Sequence, residues 1–110
     1  MSDPSRARYP VFRVDRFIVP ESAAEAFMRR VQRIQSLIDP LPGCRQNLVL
    51  TQARDAGTLR VLTVVEWETT AAMDAARAYV QQQYAQEGFD PPAFMRQLGV
   101  EADLGLYQPA

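Results

Sequence analysis

Between Val11 and Val19 the run VFRVDRFIV alternates in two sets, with Phe12, Val14, Arg16 and Ile18 on one face and Val11, Arg13, Asp15 and Phe17 on the other. A period of two is the mark of a strand. Pro20 stops ladder pairing and can open a helix, where its missing N–H costs little. Ser22 and Glu25 have the spacing of a capping box. Ala24, Phe27, Val31, Ile34 and Ile38 then recur at three- and four-residue steps, which gives an amphipathic helix one apolar stripe and leaves Arg29, Arg33 and Gln35 largely outside it. The prolines and glycine of DPLPG, Asp39 to Gly43, end that helix.

A second strand follows from about Arg45 to Ala53, and RDAGT supplies a turn in which Gly57 can take a positive φ. The third strand, Leu59 to Glu68, sets Leu59, Val61, Thr63, Val65 and Trp67 on one face and Arg60, Leu62, Val64, Glu66 and Glu68 on the other. Thr70 can cap a second helix reaching about Glu87, with an apolar row of Met73, Ala76, Val80 and Tyr84 widened by Ala72, Ala75 and Tyr79. EGFDPP breaks it, PAFMRQL reads as a short helix opened by Pro91 or Pro92, and VEADLGLYQ alternates as a fourth strand. This order is that of an α+β, ferredoxin-like fold, a split βαβ arrangement with helices on one face of an antiparallel sheet. The third strand is apolar on both faces, and a chain of 110 residues has few elements left to cover the second. A sheet from a second copy is the expected cover, so the chain is read as a homodimer. Residues 1–8 read as a flexible lead-in and 9–110 as a single domain.

Composition removes several chemistries. The chain has no His, and all 12 of its basic residues are Arg, which excludes imidazole bases, His metal ligands and Lys Schiff bases. Cys44 stands alone, so one chain can form neither an internal disulfide nor a thiolate-rich zinc site; packing or an incidental thiol is its reading. With 13 acidic residues against 12 basic ones and no basic run, nucleic acid is not an expected partner. No segment approaches the roughly 20 apolar residues needed to span a bilayer, and no apolar leader opens the chain. A cytoplasmic protein is the expectation.

FIVPESAAEAF at the first strand–helix junction, LPGC before strand two, VVEWET closing strand three and the late LYQP occur in order and at fitting spacing. In these stretches the chain resembles the antibiotic biosynthesis monooxygenase family, from about Tyr9 to Pro109. The resemblance implies a dimeric α/β barrel, in which the sheets of two subunits meet face to face and each subunit holds a pocket between its sheet and its helices. Some members of that family oxidise phenolic or anthrone-like polyketides with molecular oxygen and without metal, flavin or nicotinamide. Others degrade haem through an axial histidine, which has no counterpart here.

On this resemblance Trp67 matches the tryptophan at the close of strand three, proposed to hold substrate beside oxygen, and its indole offers a flat face and one N–H donor. Thr63, four residues earlier on the same face, stands where several polyketide oxygenases have Asn, and supplies one hydroxyl instead of an amide. These two are the candidate catalytic residues. Tyr79, Tyr84, Phe89, Phe94 and Met95 are candidates for the wall and mouth of a pocket for a flat aromatic ligand, with the loop Glu87 to Pro92 as a flap. Strand one leaves two alternatives open. Arg13 and Asp15, with Arg60 and Glu66, could face a partner sheet as paired charges, or Arg16 could enter the ligand pocket. No general base is evident. Two other functions fit the same pattern: a dimeric binding protein without turnover, and an isomerase or cyclase on the same fold.

Overall fold

The computed structural model describes residues 9–54 and 57–110, and the side chain of residue 54 is not described. The expected lead-in, residues 1–8, and the centre of the RDAGT turn lie outside the described residues. Along the chain run β1 (Val11–Pro20), a single 3-10 turn (Glu21–Ala23), α1 (Ala24–Ile38), β2 (Cys44–Arg54), β3 (Thr58–Trp67), α2 (Thr70–Glu87), α3 (Pro91–Leu98) and β4 (Glu101–Tyr107). The strands form one antiparallel sheet in the order β2-β3-β1-β4. This is the ferredoxin-like topology read from the sequence.

Two helix starts differ from the sequence reading. Ser22 and Glu25 form no capping box: the 3-10 turn intervenes, no side chain caps it or α1, and Glu25 instead accepts from Arg29 Nη2 at 2.8 Å. The Glu21 N–H is engaged by the Gly57 carbonyl at 2.8 Å, which ties the end of β1 to the β2–β3 turn. At α2 the cap is Thr69, one residue earlier than expected, whose Oγ1 accepts from the Ala72 N–H at 3.1 Å. Asp90 caps α3 through a bond from the Ala93 N–H, with Pro91 at the first helical position, where no donor is needed.

Register decides which face of the sheet the helices cover. Arg13 pairs with Val65, Asp15 with Thr63 and Phe17 with Val61, and in the next strand Asn47 and Val49 stand opposite Val65 and Thr63. Directly paired residues share a face, so these side chains form one surface, against which the helices pack. Phe17, Val19, Ala23, Phe27 and Val61 make a core at one end, with the Phe17 and Phe27 rings tilted at a centroid distance of 5.1 Å. Val11, Val65, Trp67 and Ala76 make a second at the other. The opposite face carries Phe12, Val14, Ile18, Leu62 and Val64, together with Leu48 and Leu50 at 42 and 47 % exposure. Among the described residues no helix covers that face.

Gly43 holds the second core together. Its φ of +84° suits glycine, its carbonyl accepts from the Glu68 N–H at 2.7 Å, and a Cβ built on it would lie 2.6 Å from the Ala72 Cβ. The turn before β2 thus seats directly on the first turn of α2 beside Trp67.

Candidate active site

Between the two cores, a cavity of about 420 Å³ separates the sheet from the helices, a size within the range of small-molecule sites. Its floor is the helix-facing side of the sheet: Arg13, Asp15 and Phe17 of β1, Asn47 and Val49 of β2, and Thr63, Val65 and Trp67 of β3. The α1 stripe supplies Phe27, Val31, Ile34 and Ile38, and the α2 row supplies Met73, Ala76, Val80 and Tyr84. Phe89, Phe94 and Met95 close one end, and the exposed Leu104 and Leu106 of edge strand β4 form a rim.

Of the residues singled out in the sequence, Thr63, Trp67, Tyr84, Phe89, Phe94 and Met95 come together around this cavity. Trp67 is 4 % exposed, and its indole borders the cavity while packing with Val11, Val65 and Ala76. Arg16 and Tyr79 are not brought in. Arg16 alternates with Asp15 and so lies on the uncovered face, opposite Leu62 and Asp103. Tyr79 is 39 % exposed on the outer side of α2, because five residues of helix turn it about 140° away from Tyr84. The group Arg13, Asp15, Arg60 and Glu66 is divided between the faces: the first two line the cavity, and the last two share the other surface with Arg16.

The aromatic end of the cavity is built around a cation. Tyr84, Phe89 and Phe94 form an edge-on series with centroid separations of 5.1 and 5.3 Å. The Arg30 guanidinium lies over the Phe89 ring, 3.4 Å from its centroid, and 5.7 Å from that of Tyr84, a cation–π arrangement. Glu87 holds it there, accepting from Arg30 Nη2 at 3.2 Å and from Arg33 Nε at 2.8 Å. The hydrogen bond from Arg33, more than the nearby charges, keeps the Glu87 carboxyl below its ordinary range. Arg30 Nε is buried without a hydrogen-bond partner among the described residues. Burial pushes the Tyr84 phenol up, against the opposing pull of Arg30. Arg30 was missed in the sequence, although it stands three residues after Phe27 and four before Ile34, the spacing that defines the stripe.

At the sheet, Arg13 Nε donates to Asp15 Oδ1 at 3.1 Å, and the Gly105 N–H donates to the same oxygen at 3.3 Å. Burial raises the Asp15 pKa above the usual carboxylate value, partly offset by Arg13 and by the Gly105 bond. Gln35 and Asn47 clasp α1 to β2 reciprocally, Gln35 Nε2 donating to the Asn47 carbonyl at 3.0 Å and Asn47 Nδ2 to the Gln35 carbonyl at 2.9 Å. Cys44 packs beside the Trp67 core, and burial, with Asp39 adding to it, pushes its thiol up and away from the reactive thiolate. Among the described residues no group of three or more Cys, Asp or Glu side chains could hold a metal ion, and no helix is long and apolar enough to cross a membrane.

Such a sheet, with an apolar cavity that holds a few polar groups between its helix-covered face and the helices, defines a small α+β domain with a pocket of the size and lining common to small-molecule sites. The chain belongs to the antibiotic biosynthesis monooxygenase family, whose profile matches residues 10–88. Among solved structures it is similar to an asparagine-to-alanine variant of SnoaB, a cofactor-independent oxygenase from Streptomyces nogalater, with 26 % identity, coverage of 91 % of this chain and 92 % of that one, and a TM-score of 0.59. A proposed antibiotic biosynthesis monooxygenase from Deinococcus radiodurans superposes with a TM-score of 0.69 at 17 % identity, over 91 and 92 % of the two chains. A conserved protein from Methanosarcina mazei gives 0.68 at 16 %, over 96 and 98 %; these last two likenesses are of fold. No curated protein matches the chain.

Proposed function

We propose that the protein is a cofactor-independent monooxygenase that oxidises a flat phenolic or polyketide-like aromatic with molecular oxygen, and that it works as a homodimer. The observation that carries the reading is the cavity itself, in a chain of this family: Thr63 and Trp67 stand on its floor, four residues apart on one strand, facing a wall of aromatic side chains. An electron-rich substrate, once deprotonated, can pass an electron to oxygen, and the radical pair can combine inside the cage. The protein's part is then to hold the ring, exclude water and position oxygen. Trp67 supplies a flat face at the floor, Thr63 a hydroxyl beside it, and Tyr84, Phe89, Phe94 and Met95 the apolar enclosure.

The dimer reading rests on the uncovered sheet face. Apolar residues of three strands dominate it, and it also carries Arg16, Arg60, Glu66 and Asp103, so both signs of charge are available to a self-complementary two-fold contact.

Aerobic oxygen uptake with a panel of anthrones and hydroquinones tests the chemistry. Uptake with quinone formation is expected, and Trp67→Phe should lower turnover by tenfold or more while the mass in solution stays that of the wild type. Absence of both oxygen uptake and binding across the panel would remove the oxygenase reading. Unchanged turnover and affinity in the variant would remove Trp67 from it.

A further inference from the structure

We propose that Asp15 is the proton acceptor of this site, taking the acidic proton of an enolisable aromatic ketone or phenol bound in the cavity and returning it to the oxygenated intermediate. The inference rests on the oxidation reading above and adds the group that ionises the substrate.

Four observations carry it. Among the described residues Asp15 is the one carboxylate lining the cavity. Its side chain is only 18 % exposed, so bulk water does little to stabilise its charge. Both of its hydrogen bonds, from Arg13 Nε and from the Gly105 N–H, fall on Oδ1, and Oδ2 accepts none among the described residues. One oxygen is therefore a fixed anchor and the other is free to receive a proton. Asp15 also stands directly across from Thr63, on the face that bears Trp67, so base and indole share one floor.

The charges around Asp15 suit the task. Arg13 on β1 touches it, and Asp103 on β4 opposes its ionisation; Thr63 of β3 brings no charge. Across the cavity stand Arg30 of α1, itself paired with Glu87, and Arg77 and the Tyr84 phenol of α2, while the α3 lining residues are apolar. Burial strengthens the carboxylate as a base, and the surrounding guanidinium groups favour the anion that proton removal creates.

For a ketone with an acidic methylene the steps balance. Oδ2 takes one methylene proton and leaves a carbanion delocalised into the ring system. The carbanion gives one electron to oxygen, the two radicals join through a new C–O bond, and the peroxide anion takes the proton back from Asp15. That return leaves Asp15 charged again; the C–H and O–O bonds of this hydroperoxide then break with loss of water, so that one oxygen atom stays as the new carbonyl and the other departs with both hydrogens.

The test separates proton transfer from oxidation. Exchange of the methylene hydrogens of an anthrone for deuterium is followed by NMR in D2O under nitrogen, with wild type, Asp15→Asn and Arg13→Gln. Wild type should accelerate exchange over buffer, and Asp15→Asn should lose about a hundredfold or more of that acceleration while the same anthrone still quenches Trp67 fluorescence. Arg13→Gln should move the acidic limb of the exchange profile to higher pH, since loss of the neighbouring cation makes the carboxyl easier to protonate. If Asp15→Asn does not fold, that limb decides, and an unmoved limb overturns the proposal. No acceleration by wild type, or equal exchange by Asp15→Asn, overturns it as well. Exchange under nitrogen with no oxygen uptake in air would uphold Asp15 and remove the oxidation reading. Oxygen uptake equally fast in Asp15→Asn would do the reverse.

Discussion

Replacing Gly43 with alanine puts a number on the contact that seats α2 against the end of the sheet. Two costs are separable. At a φ of +84° an L-residue pays about 1–2 kcal/mol for the left-handed backbone. The added methyl would also stand 2.6 Å from the Ala72 Cβ, where carbon atoms prefer about 3.5–4.0 Å, and forced overpacking costs about 1–3 kcal/mol. Gly88 provides the control, because its φ is +64° but nothing lies within 4 Å of a Cβ built there. Gly88→Ala should thus lose about 1–2 kcal/mol and Gly43→Ala about 2–5 kcal/mol. In urea the larger loss is a midpoint shift of about 1–2.5 M at a slope of about 2 kcal/mol per M, measured at one fixed protein concentration so that any association contributes equally. Adding Ala72→Gly to Gly43→Ala should recover part of the steric share, read as a coupling of about 1–3 kcal/mol in a double-mutant cycle. Equal losses at Gly43 and Gly88, together with zero coupling to Ala72, would refute the close approach.

Thr69→Ala removes the α2 cap and should cost about 1 kcal/mol, checked by the same urea titration. The Glu87 carboxyl is held below its ordinary range, so its contribution is complete above the unfolded value of 4.5 and disappears as pH falls through the lower folded value. Glu87→Gln should therefore destabilise at neutral pH and flatten the acid limb of a thermal-denaturation series, and an unaltered limb would argue against the bridge. Asp15 has the opposite sign: its raised folded value means its ionisation weakens the fold as pH rises above 3.8, so Asp15→Asn should be at least as stable as wild type at neutral pH. Leu50→Glu places a charge on the uncovered sheet face, where the isolated chain can hydrate it. Sedimentation across a dilution series should show dimer for wild type and monomer for the variant.

The fold was legible because its signals are local. Period-two runs, one apolar stripe on α1 and prolines at the breaks name every strand and helix of the described chain, and the family's motifs fall on those elements in order. The site was legible only where one element sufficed. Thr63 and Trp67 share a face by strand alternation alone, and Tyr84 follows from the α2 row. Strand β1 was ambiguous because each of its faces mixes apolar and charged residues: Phe17 lies with Arg13 and Asp15, while Phe12 lies with Arg16. Only pairing with Thr63 and Val65 settles which set points inward, and that register is a long-range property. For the same reason Asp15 could be recognised as a lone, half-anchored carboxylate only once Gly105, 90 residues further on, was in place beside it. The α2 cap slipped by one position, as helix boundaries read from pattern alone commonly do, while the capping box expected at α1 gave way to a 3-10 turn that the pattern did not signal.

The cavity is assembled from two separate stretches of the chain. Its floor, with Asp15, Thr63 and Trp67, lies inside the stretch matched to the family, whereas Phe89, Phe94 and Met95 lie past residue 88, where that match stops. The strand floor and the aromatic end of the cavity thus come from separate portions of the polypeptide. Re-sculpting the bulk of those three side chains offers a means of retuning which aromatics fit without disturbing the strands beneath them.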